Sequence, residues 1–167
     1  SSEVLRANKI ITELLDYSKT RKLSKFDIDI NTFIEKSVQT VGLPENIKLV
    51  LNLEPFKAMI DPDRITQVLV NLLSNAKDAM PQNGGIVTVV SKKIDDNSFI
   101  ISVEDNACGI DPESLKRIFE PLFTTKLKGI GLGLPIVNEI IEAHNGQITV
   151  ESTINVGTRF TIKLPIA

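Results

Sequence analysis

Three polar side chains on one otherwise apolar stretch are the first sign of chemistry in this sequence. Asn71, Asn75 and Asp78 are spaced i, i+4 and i+7, which puts them on one face of a helix. Val68, Leu69, Leu72, Leu73, Ala76 and Ala79 fill the other face. Two amides and a carboxylate beside a buried face are costly without partners. An amide oxygen is a neutral, hard ligand that can hold Mg2+ without adding negative charge beside a triphosphate. A solvent-facing polar stripe has the same spacing, so the pattern alone leaves both readings open.

Two further segments carry chemistry. In Val103-Glu104-Asp105-Asn106-Ala107-Cys108-Gly109-Ile110 an apolar strand ends in acidic residues and a turn of small residues. A carboxylate there can accept from an exocyclic amine such as that of adenine, and Gly109 lets backbone approach a flat ring. An Asp that merely caps a turn also fits. In Gly129-Ile130-Gly131-Leu132-Gly133-Leu134-Pro135 alternating glycines lead into a helix. Free N–H groups at a positive helix end suit phosphate. The spacing is not the dinucleotide fingerprint, and no Lys-Ser or Lys-Thr follows to make a Walker loop. Thr124-Thr125-Lys126 comes just before, and Lys126 is a candidate cation for a terminal phosphate.

Together these segments resemble the sensor histidine kinases of the gyrase–Hsp90–kinase–MutL ATPase superfamily. Residues 67–76, Gln-Val-Leu-Val-Asn-Leu-Leu-Ser-Asn-Ala, are similar to the N box, and Asp105-Asn106-Ala107-Cys108-Gly109-Ile110 to the G1 box. Ile118-Phe119-Glu120-Pro121-Leu122-Phe123-Thr124-Thr125-Lys126 resembles the F box, and Gly129-Ile130-Gly131-Leu132-Gly133-Leu134 the G2 box. The segments occur in the family's order, and the resemblance runs from about residue 26 to the C-terminus.

The resemblance implies a Bergerat ATP-binding fold with ATP and Mg2+ as cofactors. Asn75 would hold Mg2+ through the ATP phosphates, with Asn71 as a supporting phosphate or metal contact. Asp105 would read the adenine amine, with Thr158 nearby through water. Residues 131–134 would donate N–H groups to phosphate. Asp78, Gly109, Ile110, Thr125, Lys126, Gly129, Gly131, Leu132, Gly133 and Leu134 complete the implied nucleotide set. Ile110, Leu132 and Phe160 are candidate walls of an adenine slot, and the stretch before Gly131 would be an unusually short lid. The sequence departs from the pattern at Asp78, where many relatives carry a phosphate-contacting Lys, at Ala107 in place of a glycine, and at Ile130 in place of a hydroxyl residue.

Hydrolytic members of the superfamily place a water-activating Glu one turn before the metal-binding Asn; here that position is Asn71, and an amide cannot take a proton at neutral pH. The resemblance therefore favours a protein-histidine kinase. An anti-sigma-type serine protein kinase and a non-catalytic nucleotide-sensing scaffold are the alternatives. The first segment resembles the end of a dimerisation helix, which argues against the serine kinase. The phosphoacceptor His would lie on a helix upstream of this chain, so the chain alone should not phosphorylate itself. The implied partners are a His-bearing dimerisation domain, a response-regulator receiver domain and a second copy in the full-length protein. His144 reads as a helix-end His favoured by the helix dipole, not as the acceptor.

These segments need elements to hold them. Periodicity predicts helices over residues 3–18, 31–41, 61–80 and 133–144, with a short one opened by Asp111-Pro112. Strands are expected over residues 47–53, 86–93, 98–104, 147–152 and 158–164. The expected architecture is α+β: a two-layer sandwich of one mixed sheet with helices on one face, plus an N-terminal helix. Residues 1–22 are read as the dimerisation-helix end, 23–30 as a linker and 31–167 as the catalytic domain. The first helix carries a broad apolar stripe (Val4, Leu5, Ile10, Ile11, Leu14, Leu15) expected to pair with another chain.

Composition sets the outer bounds. The 167 residues carry a net charge of −2, which excludes a general electrostatic nucleic-acid binder. The single cysteine excludes an internal disulfide and a cysteine zinc site, and fits a reducing, cytoplasmic setting. No apolar run is long enough to span a bilayer, so no membrane contact is expected of this segment. Its start at Ser1 is read as that of a fragment of a longer chain.

Overall fold

The computed structural model describes residues 1–18, 22–126 and 131–167. Aspartates start three of its helices. Asp29 precedes α2 (Ile30–Val41), Asp61 precedes α3 (Pro62–Ala79) and Asp111 precedes α4 (Pro112–Leu115). Each carboxylate accepts from the N–H three residues on, at 3.1 Å from Thr32, 3.2 Å from Arg64 and 2.9 Å from Ser114. Such a bond satisfies one of the orphan donors of a first turn. Pro62 and Pro112 follow two of these caps, where a missing N–H costs nothing. At the other end of α2, Gly42 adopts φ 61°, the left-handed turn that ends many helices.

A five-stranded sheet forms one layer. Its strands are β2 (Ile47–Leu53), β4 (Gly85–Lys93), β5 (Ser98–Asp105), β6 (Gln147–Thr153) and β7 (Gly157–Pro165), in spatial order β2-β4-β5-β7-β6. Only β2 and β4 are parallel, because α3 carries the chain across between them. Period-2 alternation decides which face is buried. On β7, Thr158, Phe160, Ile162 and Leu164 are buried while Arg159 and Lys163 are exposed. The inward residues join one core with Ile34 and Val38 of α2, Leu69, Leu72 and Leu73 of α3, and Val137 and Ile141 of α5 (Gly133–Ala143). The outward face carries the row Glu104, Arg159, Glu151, aligned across β5, β7 and β6.

The structure adds a second sheet to the single one expected. β1 (Phe26–Asp29) pairs antiparallel with β3 (Lys57–Ile60), Phe26 opposite Ile60. β1 lies inside the polar stretch read as a linker. Its Phe-Asp-Ile-Asp sequence is short and half acidic, so local propensity gives no strand signal; pairing with β3 supplies it.

The N-terminal helix α1 (Ser2–Ser18) leaves most of its apolar stripe uncovered by this chain: Val4, Leu5, Ile11 and Leu14 are exposed. Ile10, Glu13 and Asp16 face the body instead. Gln67 Nε2 donates to Asp16 Oδ2 at 3.4 Å, tying α1 to α3. Among the described residues, no helix is long and apolar enough to cross a membrane.

One junction ties the two long body helices together. His144, at the end of α5, is 1% exposed. Its Nε2 lies 3.1 Å from the Asp61 backbone nitrogen, which donates to it, and its Nδ1 lies 2.8 Å from Ile140 O. An Nε2 that accepts requires the proton on Nδ1, so the ring is neutral. Burial pushes its pKa below the usual value, outweighing the bond to Ile140. Because the folded pKa is depressed, the unfolded chain takes up the proton first as pH falls. The stabilisation is therefore complete above the ordinary value of 6.5 and is lost as pH drops through the folded pKa. We expect urea midpoints to fall between about pH 7.5 and pH 5.5, and His144→Gln to be less stable by about 1–3 kcal/mol with that pH slope removed. An unchanged slope in the variant would contradict the assignment.

Candidate functional site

The polar face of α3 borders a cleft rather than the core. Asn71, Asn75 and Asp78 form one wall of a cleft of about 740 Å3, a size that suits a small organic ligand. The end of β5 brings Asp105, β7 brings Thr158 and Phe160, and the start of α5 brings Gly133 and Leu134. Gly109, Ile110, Thr125, Lys126 and Gly131 line it as well.

Asp105 is 8% exposed and held from one side. Its Oδ1 accepts from the Ala107 N–H at 3.0 Å and the Thr158 N–H at 3.2 Å. Neither bond uses Oδ2, which keeps its acceptor capacity. Burial raises the carboxyl pKa, and the two N–H bonds oppose that rise. Thr158 thus meets Asp105 directly through its backbone, since the two residues are opposite each other in the β5–β7 ladder. The Thr158 hydroxyl is instead 2.8 Å from Ser152 Oγ.

Ser152 is a supporting residue that no motif or periodicity singles out. Its Oγ also accepts from the Ile110 N–H at 2.8 Å, and it lies 3.1 Å from Gly157 O. It fastens the Gly109–Ile110 turn to the end of β6. The turn itself needs glycine: Gly109 has φ 76°, and a Cβ there would stand 2.3 Å from Thr153 O.

At the opposite region of the cleft, α5 begins without a side-chain cap, unlike the Asp-capped α2, α3 and α4. Its first N–H groups are left to a ligand or water. A methyl group at Gly133 would stand 3.3 Å from Asn71 Oδ1, so α3 and α5 approach closely here. Gly131 O accepts from the Leu122 N–H at 2.9 Å, which pins the end of the glycine run against the preceding segment. Lys126 Nζ donates to Asn75 Oδ1 at 2.9 Å and to Asp78 Oδ2 at 3.1 Å.

Most of the expected residues converge on this cleft. Leu132 does not: it is 1% exposed and sits in the core, below the cleft wall it was expected to form. Gly129 and Ile130 lie outside the described residues. Sequence reasoning missed one wall altogether. Arg6, Lys9, Ile10 and Glu13 of α1 border the cleft. Glu13 has its pKa raised by burial, against the pull of Lys9. Helical periodicity carries no signal for that contact, because it depends on how α1 docks.

Comparison with known proteins places most of this chain in a family. Residues 60–167 match the family described as histidine kinase-, DNA gyrase B-, and HSP90-like ATPase. The signal transduction histidine-protein kinase AtoS of Escherichia coli (strain K12) is 38% identical over 169 residues, covering 98% of this chain and 28% of that protein. Sporulation kinase E of Bacillus subtilis (strain 168) is 34% identical over 173 residues, covering 99% of this chain and 23% of that protein. The chain thus spans only about a quarter of the length of these curated relatives. Among solved structures, histidine kinase ThkA in complex with response regulator protein TrrA superposes with a TM-score of 0.80 at 30% identity, over 99% of this chain and 49% of that one. The catalytic domain of ThkA gives 0.74 at 30% identity, over 86% of this chain and 97% of that one. The family match begins at the head of the helix that carries Asn71, Asn75 and Asp78 and runs through the last strand, so it contains every wall of the cleft except that of α1. This chain belongs to the histidine kinase-, DNA gyrase B- and HSP90-like ATPase family.

Proposed function

We propose that this chain is the Mg-ATP-binding catalytic domain of a cytoplasmic protein-histidine kinase portion, with the end of a dimerisation helix in residues 1–22 and a junction in residues 23–30. The observation that carries this reading is the gathering, in one cleft, of the Asp105 acceptor, the uncapped start of α5 and the Asn75–Asp78–Lys126 cluster.

In this reading Asp105 Oδ2 accepts from the adenine amine. Its Oδ1 bonds to Ala107 and Thr158 hold the carboxylate still while it does so. Ile110 and Phe160 face the base. Backbone N–H groups of residues 131–134 receive the phosphates, with Gly129 assigned to the same run. Lys126 and Thr125 stand on the loop beside the terminal phosphate. The residues present fit Mg2+: Asn75 offers a neutral oxygen, and Asn71 lies one turn away as a supporting contact. The metal, when bound, supplies charge neutralisation on the phosphates.

Transfer to a protein nucleophile is favoured over hydrolysis because Asn71 cannot act as a base. Phosphoryl transfer rests on positioning and charge stabilisation, roles for which the Asn75–Asp78–Lys126 cluster and the uncapped start of α5 are suited. The acceptor would be a His on the dimerisation domain of the same homodimeric protein, with a response-regulator Asp next in line. The ThkA complex with a response regulator supports that partner class. His144 is unsuited to the acceptor role, since both ring nitrogens are engaged in the core.

Calorimetric titration tests the binding roles. Asp105→Ala should weaken ATP binding by about 100-fold or more, since it removes the only side-chain acceptor assigned to the base. Asn75→Ala should weaken binding more with Mg2+ than with EDTA; equal losses would refute the metal role. The transfer reading is tested with labelled ATP and the separately prepared His-bearing dimerisation domain of the same protein. Label should pass to that domain and not accumulate on this chain. Phosphohistidine at His144 would overturn the assignment.

A further inference from the structure

Asn75 Oδ1 and Asp78 Oδ2 lie one helical turn apart, and both reach the same point: the Lys126 ammonium, at 2.9 Å and 3.1 Å. The cluster carries one carboxylate, one neutral amide oxygen and one cation. Asp78 and Lys126 are about half exposed, so the pair is reachable from the cleft. The oxygens are hard donors, and Mg2+ bound with a phosphate ligand commonly takes one or two carboxylates from the protein. A Mg2+ ion sits about 2.1 Å from its oxygens, so it and an ammonium cannot share the same pair.

Resting on the nucleotide reading above, we propose that Asn75 and Asp78 form a two-oxygen cation seat for which Lys126 and the nucleotide's divalent cation compete. Seating the metal displaces Lys126, whose ammonium is then released to the terminal phosphate. The charges account for both occupants. Lys126 neutralises Asp78 when it holds the seat. If Lys126 left for a metal-free phosphate, Asp78 would stand uncompensated beside an anion; with Mg2+ on Asp78 that repulsion disappears. Asp78 therefore makes productive binding conditional on the metal, and it couples metal arrival to movement of the Thr124–Lys126 segment.

Two measurements decide it. The first is the ratio of ATP affinities with Mg2+ and with EDTA, by calorimetry. Asp78→Asn should lower that ratio about tenfold, chiefly by improving metal-free binding and weakening the Mg2+ complex. The second is acylation of the Lys126 amine by N-hydroxysuccinimide acetate, read by mass spectrometry. Adding Mg2+ with ADP, which has no terminal phosphate to receive the freed ammonium, should raise Lys126 labelling about threefold or more in the wild type. In Asp78→Asn the labelling should start high and change little. Wild-type binding of ATP with the affinity ratio and Lys126 labelling unaltered by Asp78→Asn would overturn the seat and leave the nucleotide site standing. Absence of ATP and ADP binding by the wild type would overturn both.

Discussion

One buried hydrogen bond, from the Asp61 backbone N–H to His144 Nε2, pins the ends of α3 and α5 together above the core they share. It joins the start of α3 to the end of α5, so the helices run antiparallel. About 15 Å farther along α3 lies Asn71, and a comparable length back along α5 lies Gly133. These meet at 3.3 Å from Asn71 Oδ1 to the space where a Gly133 side chain would begin. A shift of one turn at the junction would carry the α5 N-terminus away from the amide face of α3. Asp61 is also the α3 cap, and its other oxygen accepts from the Ser24 N–H at 2.9 Å. One residue thus fixes the helix start, the helix pair and the strand-bearing segment that leads in from α1.

The cleft's electrostatics follow from what is withheld as much as from what is placed. An Asp cap on α5, like those on the other body helices, would consume its first N–H groups and put a carboxylate at the positive end of the helix, where the proposed phosphate contact lies. Leu132 precedes α5 instead, buried in the core, which fixes the backbone without offering a competing acceptor. Asp105 shows the converse arrangement. Burial makes its charge costly, and two backbone N–H groups on Oδ1 offset part of that cost while Oδ2 stays available. Specific recognition of an amine needs such a half-satisfied buried acceptor, because a competitor lacking the amine leaves it unpaired.

Much of this was legible in the sequence, for local reasons. The spacing of Asn71, Asn75 and Asp78 fixes their common face by helical geometry alone. The Asp-Pro pairs at 61 and 111 mark helix starts through the chemistry of the cap. The positive φ of Gly109 agrees with its place in a turn of small residues. The misses are equally informative. β1 escaped because a four-residue Phe-Asp-Ile-Asp strand exists only through its partner β3. Leu132 looked like a cleft wall because sequence order places it among loop residues, yet the chain dips into the core there. His144 does close a helix as read, but burial rather than the helix dipole sets its protonation.

The sequence by itself determined the residue types, their helical and strand periodicities and the order of the nucleotide-site segments, since these depend on near neighbours along the chain. Tertiary structure alone decided which of the polar groups share one cleft. It selected the Asp105 oxygen that stays available, set Lys126 between Asn75 and Asp78, and laid the Arg6–Glu13 side of α1 along the rim. Apart from the Ala107 bond, those contacts join residues tens of positions apart, and their free energies come from burial and pairing that no local pattern encodes.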